Sequence, residues 1–436
     1  MKRMGTTEIT SLVMTTALLS MAACSSGTPT NPGATTSCVT DGGTSACAGP
    51  DASVKPIVLP GINPMAIAPT IDGTRVLVSF AGAPGASSGG LSSRECNSGI
   101  QAISAATKQS IGTAPTETAS VSGDAGSTVT VGWYSSIAVA SATKGYAIAN
   151  DSSFSGSAIY RFDPMSGANV TAVTLSPARN GCTMGELAID ADGGRLFATC
   201  SFFSGGFQIG VLSVNTTTDT ETASEFITTS KNPQSVAVFP ADGGTLLIAM
   251  TDNSIGSLGR VTLGASLGTL SLATSTIGLD PVVRVVSSGT TTHAIVLNRN
   301  GMSGGTGTNS VQFLDPANNF ETAKITGTTN NKDFSTGQGS NPVDVVAGSA
   351  SEIWVSLLNV PDGGLIAMNT TSGAVTKSID LVSFGCSGNL PRANAMAVVG
   401  DRIWVTLQNS NASFSGYGLG KIVLLNPTTG TLEAAP

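Results

Sequence analysis

Asn232–Met250 reads NPQSVAVFPADGGTLLIAM, and the rest of the chain is organised around this stretch. Two runs, Ser235–Phe239 and Thr245–Met250, alternate apolar and small residues on either side of a Pro-Ala-Asp-Gly-Gly turn. Alternation at period two gives each run one core-facing side, and the Asp-Gly-Gly supplies the positive φ a tight reversal needs. The stretch therefore predicts a β-hairpin.

The hairpin recurs. Asn63–Phe80, Gly132–Asn150, Met184–Cys200, Asn232–Met250, Asp280–Asn298, Asn341–Leu357 and Ala393–Leu407 are seven copies, of which the first, second and fifth are the most degenerate. A third apolar run ending in a polar turn follows, as in IYRFDPMSG at Ile159–Gly167, LIAMNTTSG at Leu365–Gly373 and IVLLNPTTG at Ile422–Gly430. A fourth run comes next, such as VTKSIDL at Val375–Leu381 or ETAKITG at Glu321–Gly327. Four antiparallel strands per unit, repeated without helix-period segments, predict an all-β fold, a β-propeller of seven four-stranded blades, with six or eight as the alternatives that the degenerate copies allow.

These units resemble the YVTN family of bacterial propeller repeats, kin to the NHL and lactonase-type propellers, over residues 54–436. Asn63-Pro64, Asn232-Pro233 and Asn341-Pro342 match the start of the repeat N-P-x-x-[VI]-A-[VI], and Asp72-Gly73, Asp192-Gly193 and Asp242-Gly243 match its turn. Trp354 and Trp404 fill its aromatic slot, and Thr371-Ser372-Gly373 and Thr428-Thr429-Gly430 its third-strand turn. The resemblance implies that the strand-like run Ser53–Leu59 completes the last blade, whose own fourth strand at Thr431–Pro436 is short. Closure of that kind removes an exposed strand edge. It says little about activity, because one superfold hosts many.

Charged residues are 11% of the chain, well under the usual quarter, and the net charge is −7. An acidic body without a basic stripe argues against nucleic acid as a partner. Met1-Lys2-Arg3 and the short apolar run Ile9–Ala23 read as a signal peptide over residues 1–23, too short to span a bilayer. Ala22-Ala23-Cys24 resembles a bacterial lipobox, with Met21 in place of the usual Leu. That resemblance implies lipidation at Cys24 and, with Ser25 next, an anchor in the outer membrane or at the surface of a Gram-negative cell. Residues 24–53, rich in Ser, Thr, Gly and Pro, read as a flexible tether.

Six cysteines remain after Cys24, an even number in an exported chain, so up to three disulfides are expected from fifteen pairings. Cys38–Cys47 would close a small loop in the tether. Cys182 and Cys200 flank one hairpin and could meet at its open end. Cys96–Cys386 would then link the first and a late repeat. Free buried thiols are the alternative.

Loops between the second and third strands are long and alike. A Phe-Ser-Gly element recurs at Phe154, Phe203 and Phe414, and amides recur beside the second strand at Asn150, Asn253, Asn298, Asn359 and Asn409. One reading is a ring of apolar anchors and amides around one mouth, suited to a protein or glycan. The other is structural, with each Phe packed between blades and each Asn making a turn.

Enzyme signatures are poor. The one histidine, His293, lies in a strand. Two GxSxG matches, Gly264–Gly268 and Gly301–Gly305, lack the strand-turn-helix setting of a nucleophile elbow. Asp190-Ala191-Asp192-Gly193 has only the first spacing of a calcium loop and reads as the repeat turn. Lactonase-type propellers hold a metal by Glu, Asn and Asp in the channel. Glu186 and Asp280, with Asn63 or Asn341, could reach such a position with calcium or another divalent ion. The leading expectation is a lipid-anchored propeller of the cell envelope that binds a protein or glycan through its loop-rich face. The alternatives are a lactonase-like hydrolase with a channel metal and a structural envelope scaffold.

Overall fold

A computed structural model describes residues 54–82, 99–112, 120–122, 128–151, 156–179, 181–201, 209–252, 255–288, 290–299, 308–359, 363–385, 389–412 and 418–433. The signal and tether segments, with Cys24, Cys38 and Cys47, lie outside them, as do Cys96 and Cys386.

The opening hairpin forms as its alternation demands. Asn232–Phe239 pairs antiparallel with Thr245–Thr251, Phe239 opposite Thr245. Gly243 and Gly244 adopt φ of 81° and 98° between them, a region closed to most side chains. Gly256–Thr262 and Ser271–Ile277 complete a four-stranded sheet in chain order. Seven such sheets form around one axis, and the chain is a seven-bladed β-propeller. The inner strands are Pro64–Pro69, Thr128–Ser141, Leu187–Ile189, Asn232–Phe239, Asp280–Ser288, Pro342–Ser349 and Ala393–Val399, defining blades 1 to 7.

The ring closes through both termini. Ile57–Ile62 pairs with Leu419–Asn426 of blade 7, and Thr431–Glu433 pairs with the other half of the same strand. The closing strand thus starts four residues later than the run Ser53–Leu59 suggested and extends to Ile62. Its Leu59 and Ile62 are buried, and a Cβ on Gly61 would fall 2.4 Å from the Phe80 ring of blade 1. In blade 5 the fourth strand is split. Within ETAKITG, Glu321–Thr322 forms a strand against Thr308–Asp315, and Asp333–Gln338 takes the rest of the edge.

Apolar residues gather into seven clusters, one at each blade interface. Alternating side chains of a twisted sheet point to its two faces, and each face meets a neighbouring blade. Trp354 packs toward blade 7 and Trp404 toward blade 1, both fully buried. Cys182 and Cys200 lie at disulfide distance, with Cα atoms 5.4 Å apart, in the cluster between blades 2 and 3. A bridge closing 18 residues is worth about 3 kcal/mol in the chain-entropy account.

Carboxylates on the outer strands tie blades together. Glu321 of blade 5 accepts from the backbone N–H of Thr274 and Ser275 in blade 4, each at 2.7 Å. Burial pushes its carboxyl up, but these donors and the Ser275 hydroxyl outweigh it and hold the pKa at about 2. Glu221 does the same for Ser176 N–H and Arg179.

Candidate functional site

Inner strands surround a central cavity of about 530 Å3. In blades 1, 2, 4, 6 and 7 the register slips near the start of the inner strand, which marks a β-bulge. Hydroxyls on the second strand take up freed donors: Ser79 accepts from Ala66 N at 3.1 Å, and Thr406 from Ala395 N at 3.0 Å.

Side chains then join each inner strand to the next. Ser79 Oγ donates to Ser135 O at 2.6 Å, linking blade 1 to 2. Leu187 N donates to Ser136 Oγ at 3.1 Å, linking 2 to 3. Ser201 Oγ reaches Pro233 O at 3.3 Å, and Ser235 Oγ accepts from Val283 N at 3.0 Å. Ser356 Oγ donates to Asn394 O at 2.6 Å, and Asn394 Nδ2 to Pro64 O at 3.0 Å. Among these inner-strand joints of the described residues, the one from blade 5 to 6 is ionic: Arg284 Nε bonds Asp344 Oδ1 at 2.8 Å.

Arg284 also reaches across blade 4 to Glu186 of blade 3, Nη1 to Oε1 at 2.5 Å. Its Nη1 donates to Val283 O at 3.0 Å. Asp344 Oδ2 accepts from Met396 N of blade 7 at 2.7 Å. Glu186, Arg284 and Asp344 stay partly open to the channel, with side chains 18%, 27% and 11% exposed. They are the charged residues among the described ones that line the cavity. Burial raises the Glu186 pKa, and Arg284 offsets this only in part. Desolvation works against the guanidinium too, but the two carboxylates outweigh it and raise its pKa.

Each of the three departs from its repeat. At the fifth position of the inner-strand motif the blades carry Ile67, Ile137, Leu187, Val236, Val345 and Met396, and blade 5 alone carries Arg284. One position earlier stand Ala66, Ser136, Ser235, Val283 and Ala395, with Glu186 and Asp344 as the exceptions. Sequence reasoning offered Glu186 as able to reach the channel, and Glu186 lines the cavity. It missed Arg284 and Asp344, although reading the motif for exceptions would have found them. Asp280 is instead paired with Arg299 at 2.8 Å. Asn63 and Asn341 are buried at strand starts in left-handed conformation, φ 54° and 51°.

This donor set does not suit a divalent ion. A guanidinium already sits between the two carboxylates, and Asp344 has both oxygens engaged. No group of three or more His, Cys, Asp and Glu converges among the described residues. His293 packs edge-on against Phe313, ring centroids 5.5 Å apart, and burial lowers its pKa. Gly264–Gly268 lies in the connection to the outer strand of blade 4, not before a helix. Asp190 accepts from Arg195 N at 3.0 Å and so belongs to its turn.

The loops joining second to third strands leave by the face where the inner strands start. Phe154, Phe203, Phe414 and Asn253 lie outside the described residues. The other amides hold the loop bases. Asn150 is fully buried, donating to Ser135 Oγ at 3.2 Å and accepting from Ser157 Oγ. Asn298 accepts from Gly278 N at 2.7 Å and donates to Ser310 Oγ and Gln312 Oε1. Asn359 accepts from Arg392 at 2.7 Å, and buried Asn409, φ 52°, donates to Leu419 O at 3.1 Å.

No family model matches the chain, and no curated protein sequence does. Solved structures do. A chain of the hydrazine synthase of Kuenenia stuttgartiensis is similar at 11% identity and TM-score 0.52, over 85% of this chain and 97% of that one. The Dos1 propeller matches at 10% identity and TM-score 0.51, over 87% and 85%. A puromycin hydrolase matches at 12% and 0.50, over 87% of this chain but 54% of its own. At such identities the likeness is one of fold alone.

Proposed function

We propose that this is a non-enzymatic binding propeller of the YVTN-like type, carried on a lipid anchor at Cys24, whose loop-bearing face takes a protein or glycan of the bacterial envelope. The observation behind this reading is how the loop bases are built. Buried Asn150, Asn298 and Asn409 spend their hydrogen bonds fixing where the long loops leave one face of a rigid ring. Rigid scaffolds that present variable loops are a common basis of recognition. The Ser- and Gly-rich loops with Phe154, Phe203 and Phe414 would then supply apolar anchors in a polar surround. A channel-metal hydrolase is the weaker reading, because Arg284 occupies the place between the carboxylates that an ion would need.

The test is a pull-down from envelope extract, paired with a glycan array, using the mature body and its triple variant Phe154→Ala, Phe203→Ala, Phe414→Ala. Retention of a partner by the parent and its loss in a folded triple variant supports the reading. Equal retention by both removes it.

A further inference from the structure

We propose that the central channel is a second, independent binding site, for a small organic monocation: a primary ammonium on a short apolar body, the ammonium against Glu186 and the body against Ile189, Val238 and Val398. Three observations converge. Glu186, Arg284 and Asp344 carry one negative charge more than they balance, and the described residues lining the cavity include no other charge. An uncompensated charge in a partly desolvated site is costly, and a ligand cation would remove that cost.

Second, the next ring of side chains along the channel is apolar and open. Val398 is 43% exposed although it lines the cavity, and Ile189 and Val238 are partly exposed there. Glu186 and Ile189 belong to the same blade, three residues apart, so a bound molecule would span roughly 10 Å from charge to apolar wall. Third, size and field agree. A cavity of about 530 Å3 lies in the range of small-ligand sites, and a chain of net charge −7 draws cations toward it. An ammonium adds the single charge that is missing, whereas a divalent ion would overshoot beside Arg284. An anion would meet the carboxylates.

The probes are pentylamine, pentanol and pentanoate, titrated by calorimetry into the mature full chain. Pentylamine should bind once per chain, at least tenfold tighter than pentanol, and pentanoate should not bind. Glu186→Gln should weaken pentylamine at least tenfold while circular dichroism stays unchanged. Should that variant not fold, wild-type affinity still reports. It should rise with pH, because protonation of Glu186 competes with the cation, and Arg284 and Asp344 are the other charged groups facing it. Equal affinity for pentylamine and pentanol, an unchanged Glu186→Gln, pH-independent wild-type affinity, or no saturable binding up to about 10 mM overturns the proposal. Partner capture by the loop face should survive Glu186→Gln, so the two proposals fail separately.

Discussion

The joint between blades 7 and 1 and the joint between blades 5 and 6 solve the same problem with different chemistry. At the first, Asn394 donates to Pro64 O, and the composite outer edge of blade 7 seals the ring. At the second, Arg284 meets Asp344, and the contact extends to Glu186 across blade 4. Near the channel six of the seven joints are made by hydroxyls or an amide, so a joint at the inner strands does not require charge, although carboxylates do tie blades together at the outer strands. Ion pairs drawn from water seldom add net stability. The charges at blades 3, 5 and 6 are therefore better explained by what they face in the channel than by what they hold.

The largest effect is expected at the 7–1 seam. Deleting residues 54–62 exposes the strand Leu419–Asn426 and removes the burial of Ile57, Leu59 and Ile62, each worth about 1.5–3 kcal/mol. The expected result is loss of a cooperative unfolding transition for the whole ring. A truncated protein that melts like the parent would show that the seam is dispensable.

Asp344→Ala acts at the 5–6 joint. It leaves Arg284 half-paired and frees Met396 N, and urea titration should show a loss of about 3–5 kcal/mol. Replacing all three charges with residues other blades use, Glu186→Ser, Arg284→Val and Asp344→Ala together, should bring stability back to within about 1 kcal/mol of wild type. If the triple variant is as weak as the single one, the charges are structural after all.

Ser356→Ala, in a neutral joint, should cost about 1 kcal/mol, the usual worth of one buried hydrogen bond. The smallest effects are in pH dependence, where channel and rim carboxylates should differ in sign. Glu321 has a folded pKa of about 2, below its ordinary value of 4.5. Its contribution is present above the unfolded pKa and fades as pH falls from about 4.5 toward 2, a limb that Glu321→Gln should lack. Glu186 is shifted upward. Its contribution is complete below the unfolded pKa and is lost as pH rises through the folded one, so Glu186→Gln should flatten the profile on the alkaline side of the carboxylate range.

Much of the fold was legible because each blade is a local object. Two alternating runs, a Gly-bearing turn and a third run ending in Thr-Ser-Gly or Thr-Thr-Gly specify strands and reversals without reference to distant residues. The closing strand was legible within a few residues, because the last repeat lacked a full outer strand. Of the residues offered as able to reach the channel, Glu186 lines it. Asp280, chosen with it, turns to its own Arg299. Arg284 went unread because it stands in a copy that matched the repeat poorly, and a poor match hides a meaningful exception.

Period, hairpins, turns and the order of strands follow from the sequence, through alternation and backbone preference over a few residues, whereas the count of seven among the six to eight that the degenerate copies allowed came from the folded ring. The sequence also brought Cys182 and Cys200 to the two ends of one hairpin. Only the tertiary structure decided which side chains meet at the axis. Glu186, Arg284 and Asp344 are far apart in the chain, and their meeting depends on how the blades are set around the ring. Periodicity describes one blade at a time, whereas a channel is made by all seven at once.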